Sequence, residues 1–312
     1  MTNHDGPGDE HDPLSMAGRE LPLLDPPQRV SGMRVPAAWT LPERPEGLSP
    51  AAADAWRQSG FLLAADLRLL AQSLDLQLRM AATGYTPRAR TMAMAAYASL
   101  WSRAFSSLAD AAPLVRQGSY QSALPLLRQA VELVAAQAGL VADLDLFKTW
   151  AHRAYARDPA SRAEEVGLGR YFSGESIAGD EQLRLIYRAA SDLGRPNFGP
   201  TALFVAADAT HERYPLIFAD QAFHLGWAQL LLGWQLRIGV AQLHVAMHAP
   251  QHFPALQPLR DEVTAHAVAV DGSLADPARC AVQEHTDGDG RRRHLLVGFR
   301  RRPADAAKRL LL

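Results

Sequence analysis

Residues 97–143 constrain the fold more than any other part of the chain. They read YASLWSRAFSSLADAAPLVRQGSYQSALPLLRQAVELVAAQAGLVAD. Before the Gly118-Ser119 break, Tyr97, Trp101, Ala104, Leu108, Ala111 and Val115 follow one another at steps of three and four. After it, Tyr120, Leu124, Leu127, Val131, Val134, Ala138 and Val141 do the same, and Leu126, Leu133 and Leu140 occupy the opposite face. A stripe at this spacing faces a core, and a helix apolar on two faces lies inside one. The sequence therefore predicts a helical hairpin within a bundle. Pro125 removes one backbone donor early in the second helix and should bend it.

Further helical patterns surround this pair. Ser49-Pro50 supplies a cap and a first-turn proline for a helix over residues 51–82. Asp143 to Arg157 reads as a short helix, and residues 158–180 as a polar loop. Asp180 caps a helix to Leu193, and a long one runs from Phe218 to Met247. The stretch between Gly194 and Phe218 reads as irregular. The long helix is too interrupted by Gln229, Gln235, Arg237, Gln242 and His244 to suit a membrane span, so none is expected.

The period changes near the C-terminus. RCAVQEHT and RRRHLLVGF flank DGDG as a β-hairpin, with Leu295, Val297 and Phe299 alternating onto one face. An isolated hairpin is marginal in water, so it needs the helices or a third strand; Val263 to Val270 could be that strand or a short helix. The expected architecture is mainly α. A bundle of about five or six helices spans residues 49–253, after a disordered, Pro-rich segment 1–48 from which Trp39 and Leu41 dock. A small β-containing element at 254–302 and a basic tail at 303–312 follow.

Charge is unevenly placed. The 312 residues carry a formal net charge of −1, yet residues 291–312 hold seven Arg and one Lys against Asp305 alone, a local excess of +7. Such an end can hold RNA or another polyanion, or can decorate a solvated edge strand. The single cysteine, Cys280, rules out an internal disulfide and suits a reducing cytoplasm.

Few residues stand out as chemistry. Arg128 and Glu132 lie one helical turn apart at the edge of the apolar stripe, beside Ala135 and Gly139. They predict a buried charged pair, serving as a structural clamp or as part of a pocket. Ser191, Asp192, Arg195 and Asn197 form a polar break that could line a pocket. His244 and His248, with His252 beyond, have the four-residue spacing of metal ligands, although Pro250 interrupts the series and no carboxylate accompanies it. Arg-x(4–6)-His occurs as Arg237…His244, Arg260…His266 and Arg279…His285. With 30 Arg and 11 His, about three such hits arise by chance. Of these, Arg237 and His244 share a helix and are the candidates for catalysis. No phosphate-binding glycine loop or nucleophile motif is present, and no cofactor is expected.

Tyr120-x2-Ala123-x2-Leu126-Leu127-Arg128-x3-Glu132 resembles the Tyr/Ala/Leu-Arg/Glu helix of a bacterial family of unknown function. That family is similar in style to HEPN-like helical bundles, some of which serve in abortive infection or toxin–antitoxin pairs. Tyr187-x3-Ser191 before a loop strengthens the likeness. In that family a His follows the Ser by about four residues, whereas here the position is Arg195, which puts His chemistry at that loop in doubt. The resemblance covers residues 90–250. It implies a helical bundle with Tyr120 near the site and, in ribonuclease members, an Arg/His pair. Without a catalytic set above chance, the sequence points first to a non-enzymatic interaction or scaffold protein, binding another protein or a second copy of itself. A HEPN-like ribonuclease and a metal-binding bundle are the alternatives.

Overall fold

The computed structural model describes residues 32–84, 92–142, 177, 179–206, 208–249, 256–290 and 292–312. The expected helix Asp143 to Arg157, residues 1–31, most of the loop 158–180 and His252 lie outside the described residues. Among the described residues the protein is mainly helical, with a small antiparallel sheet at the C-terminus. The helices are α1 (Pro50–Leu62), α2 (Ala64–Gly84), α3 (Met92–Arg116), α4 (Tyr120–Ala142), α5 (Glu181–Leu193), α6 (Phe198–Val205), α7 (Leu225–Met247) and α8 (Gln257–Leu274). The strands are β1 (Ala281–Thr286), β2 (Arg292–Phe299) and β3 (Lys308–Leu311).

The α3–α4 hairpin forms as the spacing predicts. Its stripes are buried from Tyr97 to Val115 and from Tyr120 to Val134, and Leu133 and Leu140 are buried from the other side of α4. α4 runs through Pro125 as one helix. Gly118 makes the reversal with φ 79°, and a Cβ there would lie 2.2 Å from the Gln221 carbonyl oxygen, so the turn requires glycine twice over. The axis of the bundle is α7, buried around most of its circumference and packed on α2, α3, α4, α5 and α8.

Several expectations are corrected. The helix read over 51–82 is two helices, because Leu63 leaves helical geometry (φ −117°, ψ 24°); α1 then leans on α3 while α2 follows α7. The stretch taken as irregular contains α6. The long helix starts at Leu225 rather than Phe218, where His224 becomes the cap and its Nδ1 accepts from the Trp227 N–H at 3.3 Å. Of the two readings open for Val263–Val270, strand or helix, the structure takes the helix, with Val263, His266, Ala267 and Val270 buried at helical spacing after Pro258. The basic tail supplies the third strand, β3, and the sheet is an antiparallel meander β1-β2-β3. Trp39 and Leu41 pack on the core as expected.

The hairpin forms with Val282 opposite Leu296, but its inward phase differs from the simple alternation. His294 and Leu296 are buried, while Leu295 and Val297 are only partly so. A bulge between Leu296 and Phe299 shifts the phase, and Phe299 rejoins the buried face. Gly298 has φ 70° there, and a Cβ would fall 2.7 Å from the Arg279 carbonyl oxygen. Beyond β2, the carbonyls of Arg301 and Arg300 accept from the Leu225 and Gly226 N–H groups at 2.9 Å each, satisfying donors that the start of α7 leaves open.

The sheet is also fixed by a buried ion pair that the sequence does not advertise. Arg279 Nη1 meets Asp66 Oδ2 at 2.6 Å, with side chains only 8% and 6% exposed. Ser273 Oγ donates to the other Asp66 oxygen at 2.7 Å, Arg279 Nη2 donates to the Gln229 carbonyl at 2.9 Å, and Gln229 Oε1 accepts from the Cys280 N–H at 3.1 Å. Cys280 is buried, and burial pushes its thiol up to about 12, so it packs as an inert group.

One helix among the described residues, Tyr120–Val141, is long and apolar enough to cross a bilayer; half of it is buried inside the bundle.

Two outcomes are expected. Asp66→Ala strands the Arg279 charge and costs about 3–5 kcal/mol in denaturant unfolding, while Asp66→Leu with Arg279→Met recovers much of that loss. Burial also pushes the His224 and His266 imidazoles down to about 4. Their stabilisation is complete above the unfolded value of about 6.5 and is lost as pH falls toward the folded value. The loss is up to about 1.4 kcal/mol per pH unit for each proton that only the unfolded chain takes up. The urea midpoint should therefore drop between about pH 7 and about pH 5; a flat midpoint would contradict it.

Candidate functional site

A cavity of about 840 Å³ opens between α4, α5, the α5–α6 link and β2. Its polar wall carries four arginines (Arg128, Arg188, Arg195 and Arg292) together with Tyr187, Ser191, Asp192 and His294; Leu124, Pro125, Ala190 and Pro196 form an apolar floor.

Arg128 projects from α4 toward α5, where Tyr187 and Ser191 stand one turn apart and present their hydroxyls to it. Nε donates to Ser191 Oγ at 3.0 Å and Nη2 to Tyr187 Oη at 2.8 Å. Ser191 Oγ in turn donates to the Tyr187 carbonyl at 2.7 Å, which leaves its lone pairs for the guanidinium. Glu132 lies 3.3 Å from Nη2. The guanidinium is thus held in one orientation by Ser191, Tyr187 and Glu132.

Asp192, at the end of α5, joins the second half of the wall. Its carboxylate accepts from His294 Nδ1 at 2.8 Å and lies 3.4 Å from Arg195 Nη1. A carboxylate can only accept, so Nδ1 carries the proton of this bond. His294 is 9% exposed at its side chain, and the Leu312 N–H holds its carbonyl at 2.8 Å. Arg184 and Glu284, 3.7 Å apart, tie α5 to β1. The sheet therefore delivers Arg292 and His294 to a pocket otherwise built of helices.

The sequence candidates separate cleanly. Arg128, Ser191 and Arg195 meet in the pocket, with Glu132 behind Arg128. The pair expected to be buried is half exposed, 39% for Arg128 and 36% for Glu132, because the cavity keeps it open to solvent. Tyr120 belongs to the core instead: its hydroxyl accepts from the His224 N–H at 3.0 Å, and burial pushes its phenol upward. Asn197 sits exposed at the start of α6 and makes no side-chain cap bond.

Arg237 and His244 are not assembled into a pair. Asp271 holds the Arg237 guanidinium, and the His244 carbonyl accepts from His248 Nδ1 at 2.8 Å. Burial lowers the His244 pKa, and among the described residues no group of three His, Cys, Asp or Glu side chains could hold a metal. The other two Arg…His matches are also spent on structure. Arg260 donates to the Met247 carbonyl, His266 faces Gln72, and Arg279 is the buried partner of Asp66. The basic end is engaged likewise, Arg293 by Asp287 at 3.0 Å, Arg301 by Asp208 and Arg300 by the Ala278 carbonyl at 2.9 Å.

Arg292 and His294 escape sequence reasoning because their place depends on how the sheet docks, and Arg188 because its place depends on how α5 packs beside α4. The available signal is His294 itself, a titratable residue two positions before Leu296 on the inward phase of a strand.

The half-exposed pair sets an energetic expectation. Glu132→Ala should cost no more than about 1 kcal/mol in urea unfolding, and its coupling to Arg128 should be near 0.3–0.5 kcal/mol in a double-mutant cycle. A loss of about 3 kcal/mol or more would return the pair to the core.

Comparison of the chain with family models, with curated proteins and with solved structures gives no match.

Proposed function

We propose that this is a non-enzymatic binding protein whose ligand carries phosphate, held by the arginine-walled pocket between α4, α5 and β2. The observation that carries this reading is the convergence of Arg128, Arg188, Arg195 and Arg292 on one cavity, with Arg128 already oriented by Tyr187 and Ser191. Arginine presents a fixed fork of donors that suits phosphate oxygens. Four arginines line the cavity against the carboxylates of Glu132 and Asp192, and an anion there would offset the remaining positive charge. Such an arrangement is costly as a packing device and useful as a receptor.

A second reading is a HEPN-like ribonuclease, favoured by one observation: Asp192 holds His294 beside the arginines, giving an imidazole that could move a proton. It would run through His294 rather than His244.

Calorimetry with inorganic pyrophosphate tests the first reading. The wild type should bind, more weakly as salt is raised. Arg128→Ala or Arg292→Ala should each lose about tenfold or more in affinity, as expected for a charged hydrogen bond. Arg57→Ala, on exposed α1, should change nothing. Affinity unaffected by the pocket variants would end this assignment. Metal-free cleavage of an RNA oligonucleotide that disappears with His294→Gln would put the second reading first.

A further inference from the structure

We infer that the phosphate-bearing ligand is a mononucleotide, with its phosphates among the arginines and its base stacked on Phe198. This rests on the anion-binding reading of the pocket and specifies what the anion is attached to.

Phe198 opens α6 with 76% of its surface exposed. It is not a loose side chain: its ring stacks on Tyr214, with centroids 5.8 Å apart and planes 22° from parallel. One face is thereby backed by a second aromatic ring, and the other is open. Pro196 lines the cavity and Phe198 is two residues on, within about 7 Å between Cα atoms, so a ligand extending past Pro196 meets the start of α6. A fixed, exposed aromatic ring next to clustered arginines is how a base and its phosphates are held together, and the stacking tolerates any base because each has a π-face.

Charge and size agree. Glu132 and Asp192 offset two of the four guanidinium charges, leaving a net of two positive charges for a ligand with at least two negative ones. A volume of about 840 Å³ exceeds what a bare phosphate fills and lies within the span of small-molecule sites. The apolar floor of Leu124, Pro125, Ala190 and Pro196 has no role toward a naked anion. It suits a sugar and the edge of a base.

The test compares ATP and GTP with inorganic tripolyphosphate by calorimetry in metal-free buffer, using the full-length chain. Both nucleotides should bind about tenfold or more tightly than tripolyphosphate, the scale of one base–aromatic stack. Phe198→Ala, at an exposed position, should abolish that advantage and leave tripolyphosphate affinity unchanged, whereas Arg128→Ala should weaken all three. Tripolyphosphate binding with no nucleotide advantage overturns this inference and leaves the anion pocket standing. Failure of every ligand to bind overturns both. A 5′-hydroxyl oligonucleotide that binds more tightly than ATP overturns it in favour of a nucleic-acid chain.

Discussion

The Asp66–Arg279 ion pair joins parts of the chain 213 residues apart, and the remaining architecture is arranged around it. Asp66 lies in the first turn of α2, where the helix dipole favours a carboxylate. Arg279 lies just before β1 and also reaches a carbonyl of α7, while Ser273 of α8 completes the carboxylate's partners. Two charges this deep are tolerable only because each oxygen and nitrogen named here has a partner. The pair therefore adds little net stability over an apolar substitute, but it penalises any other docking of the sheet. An apolar contact could slide by a residue, whereas a carboxylate with two specific donors cannot.

That fixed docking gives the pocket its second wall. α4 and α5 alone would present Arg128, Tyr187 and Ser191 on an open groove. β2 closes it with Arg292 and His294, and Asp192 bridges from helix to strand through His294 Nδ1. The exposed aromatic ring of Phe198 belongs to the same region because the α5–α6 link both lines the cavity and leads into α6. Helix and strand contribute different chemistry: a restrained guanidinium from α4, and an imidazole from β2 set against a carboxylate of α5.

Local pattern carried much of the fold into the sequence. The α3–α4 stripes, the Ser49-Pro50 start, the Asp180 cap and the DGDG hairpin are all short-range signals, and the structure realises them. What sequence could not express was long-range. Nothing near Arg279 announces Asp66, whereas Arg128 and Glu132 share a helix and so read as the clamp. Those two lie 3.3 Å apart, with Arg128 at a cavity that only the sheet and α5 define. Tyr120 followed the same logic in reverse: its place in a stripe was legible, and its hydroxyl is used on the His224 backbone in the core. The break at Leu63 has no proline or glycine at the residue itself and arises from two helices packing on different neighbours.

The bulge at Gly298 separates two kinds of packing within one eight-residue strand. On the pocket side, His294 and Leu296 obey one parity; after the extra residue, Phe299 obeys the other and packs against His224 and Trp227. A side chain at 298 would collide with the Arg279 backbone, so the step must remain a glycine. With the step in place, substitutions toward the turn can retune the pocket while Phe299 keeps the strand seated on α7. The strand behaves as two short pieces sharing a backbone, one facing the cavity through His294 and one held by the core through Phe299.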